Sequence, residues 1–189
     1  SRAISSLLPV KNSPQAGFCT GKVQKVGDSA LFPCNYIYLC PEKNRFIMER
    51  LQEYFHRKLK ETPLEFTRYK YDAIKWDGRM LGLVGPRGVG KSTLLLQRIK
   101  REMDTTDTLY VTADHLYFGA HPLLELADRF VKMGGRHLFI DEIHKYEHWS
   151  RELKLIYDSY ADLQVVFTGS SVLDILHGEA DLSRRAPIY

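Results

Sequence analysis

Downstream of Arg79 the chain alternates between two patterns. One is a short, continuous apolar run; the other sets apolar residues three or four positions apart, with charge between them. RMLGLVG (79–85), TLYVTAD (108–114), HLFIDE (137–142) and LQVVFTGSS (163–171) are of the first kind and predict buried strands. KSTLLLQRIKRE (91–102), HPLLELADRFVKM (121–133) and HWSRELKLIYDSY (148–160) are of the second kind and predict amphipathic helices. Pro122 fits a first helical turn, and Gly134–Gly135 fits a helix end. Trp149, Leu153, Ile156, Tyr157 and Tyr160 share one side of the third helix. Uniformly apolar strands alternating with helices predict an α/β fold, a parallel sheet covered on both faces.

Ahead of this core the pattern is weaker. Residues 1–43 carry Pro9, Pro14, Pro33 and Pro41 and no sustained period, so they read as a loop-rich or disordered leader. In NRFIMERLQEYFHRKLKE, Ile47, Leu51, Tyr54, Phe55 and Leu59 recur at helical spacing behind Asn44, a fitting N-cap. Residues 44–77 thus read as an amphipathic helix with a linker, and 78–189 as the core. Met48 near the start of that helix raises the expectation that a native start lies there, with the leader an extension. No internal repeat is visible.

Composition narrows the class only a little. A chain of 189 residues with 44% hydrophobic and 12% aromatic content can bury a globular core. The net charge of +4 suits a phosphate-bearing ligand or nucleic acid. Lys and Arg are spread as solvated faces usually are, which assigns neither. Cys19, Cys34 and Cys40 form no C-x-x-C pair and read as free thiols in a reducing compartment. No apolar run approaches the roughly 18 residues of a membrane-spanning helix, and the N-terminus lacks a signal-peptide core. The expectation is a soluble, cytoplasmic protein.

The informative chemistry begins at GPRGVGKST, which fits G-x-x-x-x-G-K-[ST] between a strand and a helix. Gly85, Gly88 and Gly90 can take backbone angles that other residues resist, so the N–H groups of Gly85, Arg87, Gly88, Val89 and Gly90 turn onto phosphate oxygens, with Pro86, which has none, shaping the loop between them. The helix start adds its positive end. Lys91 would reach the β- and γ-phosphates, Ser92 would ligate Mg²⁺, and Thr93 lies in the same turn. Such a loop is built to hold a nucleoside triphosphate.

About fifty residues on, a buried strand ends in Asp141-Glu142, at the sheet edge where open α/β folds bind ligands. Asp141 would hold the magnesium shell, and Glu142 would orient and polarise an attacking water. Alone, an acidic pair after an apolar run also fits an ordinary helix start. Beside a phosphate loop it points to an ATPase rather than a GTPase or simple nucleotide kinase. Thr168 and Ser170, ending the fourth strand, fit hydroxyls that sense the γ-phosphate or the water, or else ordinary turn residues. Arg184 and Arg185 fit either a charge-stabilising arginine, in cis or from a neighbouring subunit, or a solvated basic pair.

GPRGVGKST, FIDEIHKYEHWSRELKLIYDS, VVFTGSS and GEADLSRRA together resemble bacterial and archaeal ATPases of the AAA superfamily that carry a nuclease-like or winged-helix C-terminal region. The resemblance covers about residues 48–189. It implies a P-loop NTPase core, three-layer α-β-α, with sheet order 5-1-4-3-2, ATP and Mg²⁺ as ligands, and a homo-oligomer as one arrangement open to the chain. Members of the family continue through a fifth strand, a helical lid and a C-terminal domain. Here the chain stops where the fifth strand is due, so the resemblance implies a core truncated at that strand, with lid and part of the adenine pocket beyond it.

Two functions follow. The first is an ATPase module, hydrolysing ATP to ADP and phosphate to drive conformational change. The second is a nucleotide-dependent switch with negligible turnover, whose DNA or protein partner is reached through the C-terminal region. Glu142 favours the first. No Asn-Lys-x-Asp guanine-reading motif follows the loop, which disfavours a GTPase.

Overall fold

The computed structural model describes residues 41–67, 71–170, 182 and 185–189, with the backbone alone for 41–46. All belong to one compact unit, Tyr38–Tyr189. The leader before Pro41, the cysteines, Arg184 and most of GEADLSRR lie outside the described residues. Among the described residues no helix is long and apolar enough to cross a membrane.

Four strands form where the apolar runs predict them: β1 (Met80–Val84), β2 (Thr108–Thr112), β3 (His137–Asp141) and β4 (Gln164–Gly169). They pair in parallel in the order β1-β4-β3-β2. On the free side of β1, Ile188 bridges Gly82 in parallel. The Gly82 N–H donates to the Pro187 carbonyl at 3.0 Å, and the Tyr189 N–H donates to the Gly82 carbonyl at 2.9 Å. Residues 187–189 therefore take the position that the order 5-1-4-3-2 gives to strand five.

Alternation along each strand sends side chains to two cores. Leu81, Leu83, Tyr110, Phe139 and Val166 face α2 (Lys91–Glu102), which lays down Leu95 and Ile99. Met80, Leu109, Ile140, Val165 and Phe167 face α3 (Leu123–Lys132) and α4 (Trp149–Ser159), with Leu126, Phe130, Leu153 and Ile156 between. Each such aliphatic side chain, fully buried, contributes about 1.5–3 kcal/mol. The sheet is held from both sides.

The N-terminal helix α1 (Pro41–Glu61) packs on β2 and α2. It feeds both cores: Met48 and Leu51 join the α3–α4 side, and Phe55 joins the α2 side. It starts at Pro41, ahead of the Asn44 cap that the pattern predicts. A proline in the first turn loses no helical bond, because those N–H groups have no intrahelical partner. After α1 the backbone is strapped to α2: Gln97 donates to the carbonyls of Pro63 and Phe66, Lys100 to Thr62 and Arg101 to Leu64.

Candidate ATP site

Parallel strands all end on one edge, so the segments following β1, β3 and β4 meet there. After β1 the loop Gly85–Gly90 turns back into α2. Gly88 (φ 82°) and Gly90 (φ 87°) sit in the left-handed region that side chains resist. No side chain caps α2 at Gly90, and its first turn holds no acidic residue. Its N–H groups are therefore suited to an anion from outside. The Lys91 ammonium donates to the Gly85 and Pro86 carbonyls at 2.7 and 2.9 Å, which keeps its charge over the loop. Ser92 is half-buried behind it, while Pro86, Arg87, Val89 and Thr93 are exposed.

The acidic pair is divided by environment. Asp141 is buried at the end of β3 and receives three donors. Tyr110 on β2 donates its hydroxyl to Oδ2 at 2.7 Å, the Glu142 N–H donates to Oδ1 at 3.2 Å, and the Thr168 hydroxyl also donates to Oδ1. Burial, with the Asp141 carboxylate beside it, pushes the Tyr110 phenol well above its ordinary range, so it remains a donor. Glu142 is less enclosed. Its backbone is left-handed (φ 54°, ψ 42°), the only such non-glycine residue among those described. A strained conformation of this kind costs about 1–3 kcal/mol and persists only where neighbours enforce it. Here the Glu142 N–H is held by both Asp141 and Thr168, the latter at 3.1 Å.

The side chain of Glu142 reaches to the end of β4, where the Ser170 hydroxyl donates to Oε2 at 2.9 Å. Because β4 lies between β3 and β1, this leans the carboxylate toward the phosphate loop. His144, in the short turn Ile143–Lys145, stands 3.4 Å from the same oxygen.

Lys91, Ser92, Asp141, Glu142, Thr168 and Ser170 thus share one edge, but not in the arrangement the sequence suggests. Thr168 is fully buried and its hydroxyl is committed to Asp141 and the Glu142 backbone, so it shapes the acidic pair from behind rather than sensing phosphate. Ser170 meets Glu142 directly.

Arg185 is elsewhere. Its guanidinium pairs with Asp158 near the C-terminal end of α4, at 3.0 Å. That end lies beside Arg79, which precedes β1 and donates to the Tyr157 and Tyr160 carbonyls. It is the sheet edge opposite the phosphate loop. Leu182 and Ala186 bury themselves in the α4-side core, and this carries the intervening Arg185 past α4. The expected role in cis does not fit this position.

Three features carried no clear signal in the sequence. Tyr110 reads there as one more core aromatic. His144 stands beside the acidic pair but in a turn too short for any periodicity. A cavity of about 290 Å³ flanks the phosphate loop, lined by Ile74, Leu83, Val89, Leu94 and Tyr189 as well as Gly85 and Lys91. It joins segments far apart in the chain.

Among the described residues no three His, Cys, Asp or Glu side chains cluster as a metal cage. Magnesium needs none, since it takes most of its ligands from phosphates and water, with one or two protein oxygens. One buried carboxylate and one hydroxyl at the edge of a phosphate loop fit that chemistry.

A parallel sheet in this order, with a phosphate loop after β1 and an acidic pair at the end of β3, defines the core of a P-loop ATPase. The chain belongs to the AAA domain family, whose model matches residues 77–189. Similar solved structures include the Walker-type ATPase PABY2304 of Pyrococcus abyssi, at 18% identity, 73% of this chain, 50% of that one and a TM-score of 0.42. PCH-2 of C. elegans matches at 17% identity, 80% of this chain, 42% of that one and a TM-score of 0.43. The chain spans half or less of the length of these structures. No curated protein matches it.

Proposed function

We propose that this AAA domain binds ATP with Mg²⁺ and hydrolyses it to ADP and phosphate, driving conformational change in the regions joined to it. The loop N–H groups, the start of α2 and Lys91 would hold the β- and γ-phosphates. The apolar cavity beside the loop suits the flat adenine ring, with Ile74, Val89, Leu94 and Tyr189 against it. Ser92 and Asp141 would hold Mg²⁺, which when bound offsets negative charge on the phosphates. Glu142 takes a proton from the water that attacks the γ-phosphorus. The bond from that phosphorus to the bridging oxygen breaks, and the electron pair leaves with ADP.

The observation that carries this reading is the division of labour in the acidic pair. Asp141 is buried and held by three donors, with acceptor capacity left on Oδ2; Glu142 is bent out of regular geometry and leans over β4 toward the loop. A carboxylate acting on water contributes only as the bond breaks, so its loss should separate binding from turnover.

Glu142→Gln should keep ATP bound with little change in Kd while turnover falls on the order of 10²-fold or more. Steady-state phosphate release and equilibrium ATP binding on the full-length protein check this. Turnover at the wild-type rate would remove Glu142 from the mechanism and favour a nucleotide-dependent switch.

A further inference from the structure

His144 touches the acidic pair from a side that the mechanism above does not use. The turn carrying it is fixed by its own backbone: the Lys145 N–H donates to the Glu142 carbonyl at 2.9 Å and the Tyr146 N–H to the Ile143 carbonyl at 3.0 Å. The imidazole is mostly covered, with 12% of its side chain exposed. Its Nδ1 accepts the Ser170 backbone N–H at 3.4 Å. In the neutral ring the proton then sits on Nε2. That nitrogen stands 3.4 Å from Glu142 Oε2 and 3.3 Å from the Ser170 hydroxyl oxygen.

The Ser170 hydroxyl also donates to Oε2, at 2.9 Å. One oxygen of the Glu142 carboxylate thus accepts the Ser170 hydroxyl, and the His144 ring that bonds this hydroxyl stands within ion-pair distance of the same oxygen. Oε1 carries no hydrogen bond among the described residues. A carboxylate fixed through one oxygen presents the other in a single direction, and that direction is what a water-activating base requires. His144 contributes twice, both times through Ser170: Nδ1 accepts the Ser170 backbone N–H, and Nε2 donates to the Ser170 hydroxyl, which in turn donates to Glu142 Oε2. Partial burial strengthens both contacts.

We infer that His144 is a positioning residue that holds the Glu142 carboxylate so that Oε1 meets the attacking water. The inference rests on Glu142 being the base in ATP hydrolysis.

The test is a mutant cycle on the full-length protein, read as ATP Kd and as turnover followed over single turnovers. His144→Ala should lower turnover about tenfold, the upper end for one lost hydrogen bond between neutral groups, with ATP Kd within about twofold. His144→Gln should recover most of the loss, because its amide nitrogen can place a donor near the position of Nε2. In a Glu142→Gln background, His144→Ala should change nothing further. An equal fall in both backgrounds would overturn the inference, since His144 would then act independently of Glu142. A glutamine variant no better than alanine would also overturn it. Failure of the underlying reading shows separately, as wild-type turnover in Glu142→Gln alone.

Discussion

Asp141 sits where a charge is costly unless its oxygens are satisfied, and Tyr110 is what satisfies Oδ2. Tyr110→Phe should therefore destabilise the fold by about 1–3 kcal/mol, the cost of a buried group left without its donor. The pH dependence carries a definite sign. Below about pH 10 the phenol is neutral in both folded and unfolded chains. Above it the unfolded chain loses the proton, whereas the folded chain, with its phenol pushed up by burial and Asp141, retains it. Stability from this group is thus full below pH 10 and declines above it. Urea melts across the alkaline range should show the gap between wild type and Tyr110→Phe narrowing past that pH. A gap that is absent, or constant with pH, would mean the bond is not made. At this scale the phosphate loop was legible in the sequence, because its chemistry demands fixed residue types side by side. The partners of Asp141 were not: Tyr110 reads in sequence as one more core aromatic, and Thr168 stands out at its strand end as a hydroxyl for phosphate or water, with nothing there that pairs it with Asp141.

Strand β1 is paired on both sides, with β4 along one and residues 187–189 along the other. Gly82 is the point of closest approach. A Cβ there would lie 2.6 Å from Ile188 Cδ1 and 2.8 Å from Phe167 Cζ. Strand propensity favours valine over glycine, but crowding should win here. Gly82→Val should cost about 1–3 kcal/mol, as overpacked cores do. It should also speed hydrogen exchange at the Tyr189 amide, which bonds the Gly82 carbonyl. Unchanged protection at Tyr189, or a gain in stability, would contradict this packing. The strands were legible because buried parallel strands are apolar on both faces, and Met80–Val84 and Gln164–Gly169 fall inside the predicted runs. The short turns at Leu116–Gly119 and Ile143–Lys145 were not, since neither spans a full hydrophobic period. The start of α1 was misplaced because Pro41 reads as a breaker, although a first turn accepts it.

In the molecule as a whole, the strand order came from resemblance carried by motifs; periodicity says which residues are buried but not which strands are neighbours. The match of the family model starts at residue 77, yet α1 lies before it and places Met48, Leu51 and Phe55 in the two cores. The central claim is that one sheet edge holds ATP through Lys91 and Mg²⁺ through Ser92 and Asp141. It is tested most directly by thermal melting with ATP, with and without Mg²⁺. At about a hundredfold excess over Kd, a ligand that binds only the folded state adds about 2.7 kcal/mol. For a chain of this size that raises Tm by roughly 5–11 °C. The account expects the full rise with Mg²⁺, a clear loss of it in EDTA, and almost none in Lys91→Ala. A rise that survives EDTA unchanged, or one as large in Lys91→Ala, would contradict it.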